Sequence, residues 1–145
     1  MNNRFKFRIW HKKQNKFIDP SKYEHLDYYK TTGLCLIDCS GNLRVADYPS
    51  GNGDNSASSV FTEINKEDYI IQQYTGCHDS SSKEIYEGDI IKYNDGNSIR
   101  IGYIGFMAGI FFLNYLDEND DELGYLLVSN ITIIGNTMEN PELLK

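Results

Sequence analysis

Long apolar runs are missing from this sequence, and cysteine is scarce. No stretch approaches the roughly 18 consecutive apolar residues that a membrane-spanning helix needs. The opening Met-Asn-Asn-Arg-Phe-Lys lacks the apolar core of a signal peptide, so we expect a cytoplasmic protein with no membrane partner. Cys35, Cys39 and Cys77 are an odd number and too few for a disulfide framework. We therefore expect free thiols in a reducing compartment.

Motifs for catalysis and for nucleotide cofactors are missing as well. Gly102, Gly105 and Gly109 do not have the spacing of a dinucleotide or phosphate loop, and no helical pattern follows them. We interpret these glycines as bends at barrel corners. A catalytic triad is defined by convergence in space, so the adjacent His78-Asp79-Ser80 is not one. All three histidines lie in polar segments that we expect to be exposed: His11, His25 and His78. We expect neither enzyme activity nor a cofactor.

Two groups of metal-ligand residue types have the wrong arrangement. Cys35, Cys39, Cys77 and His78 are numerous enough for zinc. Adjacent side chains of an extended segment point to opposite faces, however, so Cys77 and His78 rarely reach one ion. The acidic run 117–122 resembles the start of an EF-hand loop but lacks the glycine and the final glutamate of that loop. We interpret the run as a solvated hairpin tip that discourages edge pairing, and we expect no metal.

Aromatic residues are what the sequence has in plenty. It contains 11 Tyr and 7 Phe in 145 residues, and such residues favour half-buried strands over helices. A chain of this length can fold around one core without disulfides or metals. In residues 4–9, Arg-Phe-Lys-Phe-Arg-Ile, charged and apolar residues alternate. This pattern predicts a strand whose inward side chains are Phe5, Phe7 and Ile9.

Further strands are predicted where apolar segments are separated by turn residues. Residues 34–37 and 43–45 flank the turn-forming residues 38–42, which predicts a hairpin. Asp95-Gly96 predicts a second hairpin. The other predicted strands are 69–74, 85–93, 99–104, 109–116, 124–128 and 130–135. We expect 109–116 to pair with 124–128, and the tail 139–144 permits one helical turn that begins at Pro141.

The domain organisation is predicted from a change in composition. Between residues 47 and 59 the chain is rich in Gly, Ser and Asn and has no periodicity, which indicates a loop or linker. We predict an N-terminal β portion at 1–48, a flexible linker or loop at 49–66, and a small SH3-like β-barrel domain at 67–145. The predicted fold class is mainly β, with little helix.

Charge is divided unevenly along the chain. Residues 1–30 carry eight Lys or Arg against three acids, a net of +5, whereas the remainder carries six bases against 18 acids, a net of −12. Such a chain could pair its own halves or a neighbour's complementary half, and two independent solvated surfaces are the alternative. The candidate interaction surface combines N-terminal cations with the acidic run: Arg4, Lys6, Arg8, Lys12, Lys13, Asp117, Glu118, Asp120 and Asp121.

Three blocks of sequence carry a family resemblance: Tyr74-Thr75-Gly76, residues 83–91 (Lys-Glu-Ile-Tyr-Glu-Gly-Asp-Ile-Ile) and residues 134–144, which end in Asn-Pro-Glu-Leu-Leu. Together with the opening Lys-Phe-Arg-Ile-Trp at 6–10, they resemble the YopX family of phage and prophage proteins. The resemblance implies a mainly β fold with SH3-like barrel character, an origin in a bacterial host cell and a capacity for self-assembly. It implies no catalytic residue. We interpret Gly88 as a turn residue and Asp89 as an acceptor of backbone hydrogen bonds.

Two functional hypotheses follow from these observations. The first is a non-enzymatic accessory protein that binds a host protein, a phage protein or a second copy of itself as a homo-oligomer. The alternative is a nucleic-acid-binding protein that uses the basic N-terminal ribbon. The acidic excess of the C-terminal half, which would repel a phosphate backbone, argues against the alternative.

Overall fold

The computed structural model describes residues 6–18, 23–24, 32–37, 40–47, 60–63, 65–94, 96–115 and 130–145. These residues form antiparallel strands and two short 3-10 helices, at Lys66–Asp68 and Pro141–Leu144. The strands are β1 (Phe7–His11), β2 (Lys16–Ile18), β3 (Tyr23–Glu24), β4 (Thr32–Ile37), β5 (Leu43–Asp47), β6 (Val60–Glu63), β7 (Tyr69–His78), β8 (Glu84–Tyr86), β9 (Asp89–Asn94), β10 (Ile99–Met107), β11 (Ile110–Tyr115) and β12 (Ile131–Asn136). The prediction of a mainly β fold is confirmed, and one sheet is a curled half-barrel.

The chain divides into two compact units. One comprises residues 8–71, and the other comprises residues 1–7 together with 72–145. The strand orders are β2-β1-β7-β8, β11-β10-β9-β12 and β3-β4-β5-β6. The predicted division at 1–48, 49–66 and 67–145 stays a prediction, and β6 falls within its central range.

The unit of residues 8–71 contains two groups of antiparallel strands: β1 pairs with β2, and β3 to β6 pair in sequence order. The predicted hairpin of 34–37 and 43–45 is confirmed, because Leu34 pairs with Ala46 and Ile37 with Leu43. Strand β1 pairs with β2, and Trp10 packs edge-on against Phe17 with ring centroids 4.9 Å apart. This contact buries an indole on the face of the hairpin opposite Ile9.

The unit of residues 1–7 and 72–145 has its core on one side of the β11-β10-β9-β12 sheet. Buried side chains from four strands and from β8 meet there: Ile85, Ile91, Ile104, Leu113 and Ile131. Half-buried rings of Tyr93, Phe111 and Tyr115 pack around them. The predicted Asp95-Gly96 hairpin is confirmed by the pairing of β9 with β10, and the helical turn at Pro141 is also present.

Three expectations about strand β1 need correction. Phe7, expected to point inward, is 36% exposed. From Ile9 onward β1 is buried on both faces, so simple alternation does not describe the strand. His11, expected to be exposed, is buried against the ring of Tyr69 at 4.8 Å between centroids, and burial lowers the pKa of its imidazole.

Two further predictions concern the glycines of β10 and the pairing of β11. Gly102 and Gly105 lie inside β10, where the register with β11 runs without a shift. A Cβ at Gly102 would stand 2.3 Å from the carbonyl oxygen of Asn114, and glycine therefore permits close packing of the strand. Strand β11 pairs with β10. Its predicted pairing with 124–128 stays a prediction, because 124–128 lies outside the described residues.

Candidate functional site

The hairpin of β10 and β11 presents an uncharged face that points away from the core. It is closed by a two-residue turn in which Ala108 and Gly109 both have positive φ, 54° and 83°, as the type I′ turn of a twisted hairpin requires. Ile104 and Leu113 alternate inward, so their neighbours along each strand point outward. These outward residues, called the ribbon face below, are Ile99, Ile101, Tyr103, Met107, Ile110 and Phe112.

The ribbon face exposes large apolar side chains to an unusual degree. Of the seven large apolar side chains that are exposed among the described residues, four lie on the ribbon face: Ile99, Ile101, Met107 and Ile110. Ile99, Met107 and Ile110 are the most exposed of the seven, at 59%, 60% and 62%. A contiguous exposed apolar patch on a folded protein is characteristic of an interaction surface.

A second group of titratable side chains lies on strands β7 and β8, with Lys6 beside them. Its members are Lys6, Tyr74, His78, Glu84 and Tyr86. Glu84 Oε1 is paired with Lys6 Nζ, and its Oε2 accepts a hydrogen bond from the Tyr86 hydroxyl at 2.7 Å. His78 pairs with Glu84 across the strands, and the Tyr74 hydroxyl lies 3.3 Å from His78 Nδ1.

Hydrogen bonds and burial shift the pKa values of three members of this group. The hydrogen bond from Lys6 lowers the pKa of the Glu84 carboxyl, and the same bond raises the pKa of the Lys6 ammonium. Burial raises the pKa of the Tyr74 hydroxyl, which keeps it neutral. Both oxygens of Glu84 are engaged and its ionised form is favoured, so Glu84 is a poor acceptor of a proton near neutral pH. Glu84 thus links β8 to Lys6, and the rings of Tyr74 and Tyr86 pack across β7 and β8 with centroids 5.4 Å apart.

Asp79 is a buried carboxylate that organises the loop between β7 and β8. Its Oδ1 accepts hydrogen bonds from the Ser81 amide at 2.8 Å, the Ser81 hydroxyl at 2.7 Å and the Lys83 amide at 2.9 Å. Its Oδ2 accepts from the Ile133 amide of β12 at 3.2 Å. Burial raises the pKa of Asp79, but these donors outweigh burial and lower the pKa to about 2. Asp79 thereby connects the loop between β7 and β8 to β12.

The blocks that carry the family resemblance meet in the core of the same unit. Asp89, at the start of β9, accepts a hydrogen bond from the Tyr86 amide at 2.8 Å and another from the Asn136 side chain at 3.3 Å. The Asn136 side chain also donates to Gln72 at 3.1 Å. Gly88 has a φ of 76°, and a Cβ there would lie 2.2 Å from the side-chain nitrogen of Gln72. The interpretation of Gly88 as a turn residue and of Asp89 as a backbone acceptor is confirmed.

The predicted interaction residues are not brought together by the described structure. Lys6 is paired with Glu84, and Lys13 donates to Asp68 at 2.9 Å. The Arg8 guanidinium lies 4.6 Å from the centre of the Phe17 ring, and Lys12 is exposed. Five of the predicted residues lie outside the described residues: Arg4, Asp117, Glu118, Asp120 and Asp121.

The ribbon face was missed by reasoning from sequence, although a signal for it exists. Residues 99–107, Ile-Arg-Ile-Gly-Tyr-Ile-Gly-Phe-Met, have apolar side chains at both odd and even positions. In a strand with one solvated face, apolar and polar residues alternate. The pattern here therefore indicates that both faces of the strand are buried, either in the fold or in a complex.

Neither a metal centre nor a membrane span is found in the described part of the chain. No group of three or more His, Cys, Asp or Glu side chains there could hold an ion. Within the same ranges, no helix has the length and apolar character needed to cross a bilayer. The thiol of Cys77 is free, as expected, and packs against the core.

Comparison with known proteins identifies the family. The family model described as YopX protein matches residues 6–145. The chain is similar to protein EF1440 from Enterococcus faecalis, with 24% identity over 97% of this chain and 98% of that one and a TM-score of 0.58. It is also similar to protein yopX from Bacillus subtilis, with 19% identity over 100% of both chains and a TM-score of 0.56. No curated protein matches it significantly. Because the family model covers nearly the whole chain, this protein belongs to the YopX family.

Proposed function

We propose that this protein is a non-enzymatic phage or prophage accessory protein that acts by binding another protein, or a second copy of itself, through the ribbon face. The concentration of exposed apolar side chains on β10 and at the start of β11 carries the proposal. The state of the carboxylates supports the non-enzymatic part, since Asp79, Glu84 and Asp89 are each engaged by donors of the protein itself. The phage origin and the bacterial cytoplasm rest on the family resemblance alone.

We also propose that the C-terminal half forms an SH3-like barrel. Antiparallel pairing of β9, β10, β11 and β12 around one core, together with the curl of a half-barrel, supports this arrangement. The barrel would hold the β10–β11 hairpin rigid, which is the property that an interaction surface needs.

Site-specific photo-cross-linking tests the ribbon face. A photo-reactive amino acid is placed at Ile110, which is 62% exposed, and in a matched protein at Glu139, an exposed residue of the same unit. In a lysate of the source organism, Ile110 should cross-link one protein or a second copy of the chain, and Glu139 should not. With the cross-linked partner purified, Ile110→Lys should weaken binding at least about tenfold. Equal cross-linking at both positions, or an unchanged affinity, contradicts the proposal.

Nucleic-acid binding is the second candidate, and one observation favours it. The β1–β2 hairpin, residues 7–18, carries Arg8, Lys12, Lys13 and Lys16 and no carboxylate. The rings beside these cations are occupied, because Trp10 is buried and Arg8 covers Phe17. If the candidate is correct, retention on single-stranded DNA falls steeply with salt and drops on reversal of charge at Lys12 and Lys13. If the protein binds no single-stranded DNA at any salt concentration, this candidate function is excluded.

A further inference from the structure

The sheet that carries the ribbon face has one charged side chain on its outward side. The described residues of β9 to β12 include three charged side chains. Asp89 is fully buried, and Arg100 lies on the core side, where its guanidinium is 5.2 Å from the centre of the Tyr115 ring. Lys92 points outward, because Ile91 beside it points into the core, and Lys92 is exposed. In these four strands the outward charge is therefore a cation.

Lys92 joins the ribbon face to a pair of hydroxyl groups. In the register of the sheet, Lys92 lies opposite Ile101 on one side and opposite Thr132 on the other. Side chains directly opposite each other on neighbouring antiparallel strands have Cβ atoms about 5 Å apart. The Thr132 hydroxyl lies 3.3 Å from the Ser80 hydroxyl, and both residues are exposed. Lys92, Thr132 and Ser80, called the donor group below, thus border the ribbon face at Ile101.

The chemistry of the donor group suits a carboxylate. The ammonium carries three N–H donors and each hydroxyl carries one O–H donor. Hydrogen bonds between an ionised donor and a carboxylate are about twice as strong as neutral ones. In the described part of the chain no carboxylate is paired with Lys92. Asp79, next to Ser80 in sequence, is buried, and its oxygens accept hydrogen bonds from the loop and from β12.

We propose that the ribbon face binds an apolar segment of a different protein, and that the donor group holds a carboxylate side chain of this segment. From Ile101 to Met107 the strand advances by six residues, which is about 20 Å. The segment would therefore place its carboxylate about 20 Å from the apolar residue that contacts Met107. This inference rests on the proposed function and specifies the chemistry of the partner.

A second copy of the chain does not supply the missing anion. A two-fold contact between identical faces places the same residues on both sides of the interface. The ribbon face and the donor group contain no carboxylate, so Lys92 of each copy would lose water without gaining a counter-charge. A partner with its own Asp or Glu supplies that charge, and complementarity of this kind selects between partners.

The net charge of the unit does not remove this preference. Residues 1–7 and 72–145 carry six Lys or Arg against twelve Asp or Glu, a net charge of −6. At physiological ionic strength, however, exposed charges act over only about 8 Å. The charge next to the bound segment, that of Lys92, therefore determines which sign of charge the ribbon face prefers.

Titration of the full chain with two peptides, followed by NMR, tests the donor group. The acidic probe is Leu-Gln-Gln-Leu-Leu-Gln-Gln-Leu-Leu-Gln-Gln-Glu-Glu with blocked ends, which spans the face as a helix, and the basic probe ends in Lys-Lys instead. At about 0.15 M salt the acidic probe should bind at least about threefold more tightly and should shift the amide signals of Lys92 and Thr132. The preference should shrink at about 1 M salt.

Three substitutions assign the preference to Lys92. Lys92→Glu should reverse it, and Lys92→Gln should remove it while both probes still bind. Lys66→Glu is the matched control, because it changes the net charge by the same amount at an exposed lysine of the unit of residues 8–71. This control should leave the preference for the acidic probe unchanged.

The outcomes separate this inference from the proposed function. Equal binding of the two probes, tighter binding of the basic probe, or a preference that persists in Lys92→Glu overturns the donor group and leaves the proposed function standing. If neither probe binds, the partner cross-linked at Ile110 replaces them, and Lys92→Glu should weaken its binding at least about threefold. Unchanged binding of that partner overturns the inference, and if Ile110 also cross-links nothing, both proposals fail.

Other occupants of the ribbon face give distinct results. A dimer that forms without a probe and that Ile110→Lys dissociates would show that a second copy occupies the face. Binding to phosphatidylcholine vesicles that is lost in Ile110→Lys would show that a lipid surface does. Either result overturns the assignment to an acidic segment of a different protein.

Discussion

Asp79 permits a quantitative prediction, because its hydrogen bonds connect the protonation of one carboxyl group to the stability of the fold. The pKa of this carboxyl is about 2, against an ordinary value of 3.8. The folded state therefore favours the ionised form. Its contribution to stability is present above pH 3.8 and is lost as the pH falls toward 2.

The size of this contribution follows from the difference in pKa. A difference of nearly two pKa units corresponds to about 2.4 kcal/mol, and Asp79 is only 7% exposed, so screening by solvent removes little of it. About 1 kcal/mol of the total should disappear between pH 6 and pH 3. Asp79→Asn cannot lose a charge on acidification, so its stability profile should lack this component.

Urea unfolding at a series of pH values provides the assay. At pH 7 Asp79→Asn should be less stable than the parent by about 2 kcal/mol, and the gap should narrow by about 1 kcal/mol at pH 3. Ser81→Ala removes one donor to Asp79 and should show part of the effect. Ser80→Ala is the matched control, because the Ser80 hydroxyl lies against Thr132 rather than Asp79. A gap that stays constant with pH would refute the role assigned to the Asp79 hydrogen bonds.

The remaining predictions concern packing in the same assay. Gly88→Ala should lower the free energy of unfolding by more than about 2 kcal/mol, because the new Cβ would strike the Gln72 side chain. Gly41→Ala, at a similar positive φ but with open space around it, should lower that free energy by about 1 kcal/mol. Equal losses would show that backbone strain alone matters. Ile85→Ala should lower the free energy of unfolding by about 3 kcal/mol, because Ile85 is fully buried. Ile110→Ala should change that free energy by less than about 0.5 kcal/mol, because Ile110 is exposed. A large loss on Ile110→Ala would mean that the ribbon face supports the fold.

Local pattern was enough to predict most of the described strands. The hairpin of β4 and β5, the hairpin of β9 and β10 and the turn at Pro141 each depend on a few neighbouring residues with restricted backbone preferences. These preferences act over short distances, so they can be identified without knowledge of the fold. The family resemblance added the structural interpretation of Gly88 and Asp89, which the contacts with Gln72, Tyr86 and Asn136 confirm.

The errors arose where distant residues decide the outcome. His11 lies in a basic segment, yet the ring of Tyr69, far along the chain, covers its imidazole. The close approach of Asn114 to Gly102 and of Phe112 to Gly105 likewise depends on β11 and is not visible in the sequence around the glycines. The pairing of Lys6 with Glu84 joins residues 78 positions apart, and no spacing rule predicts it.

The sequence by itself determined that this chain is mainly β, where its tight turns lie, and that it has no recognisable catalytic or cofactor motif. These properties depend on composition and on interactions between neighbours. Only the tertiary structure decided which apolar side chains remain uncovered. Ile104 and Ile110 are equally apolar in the sequence, but one is 1% exposed and the other 62%. The difference depends on whether a strand, a ring or water lies against each face, which the folded chain alone determines.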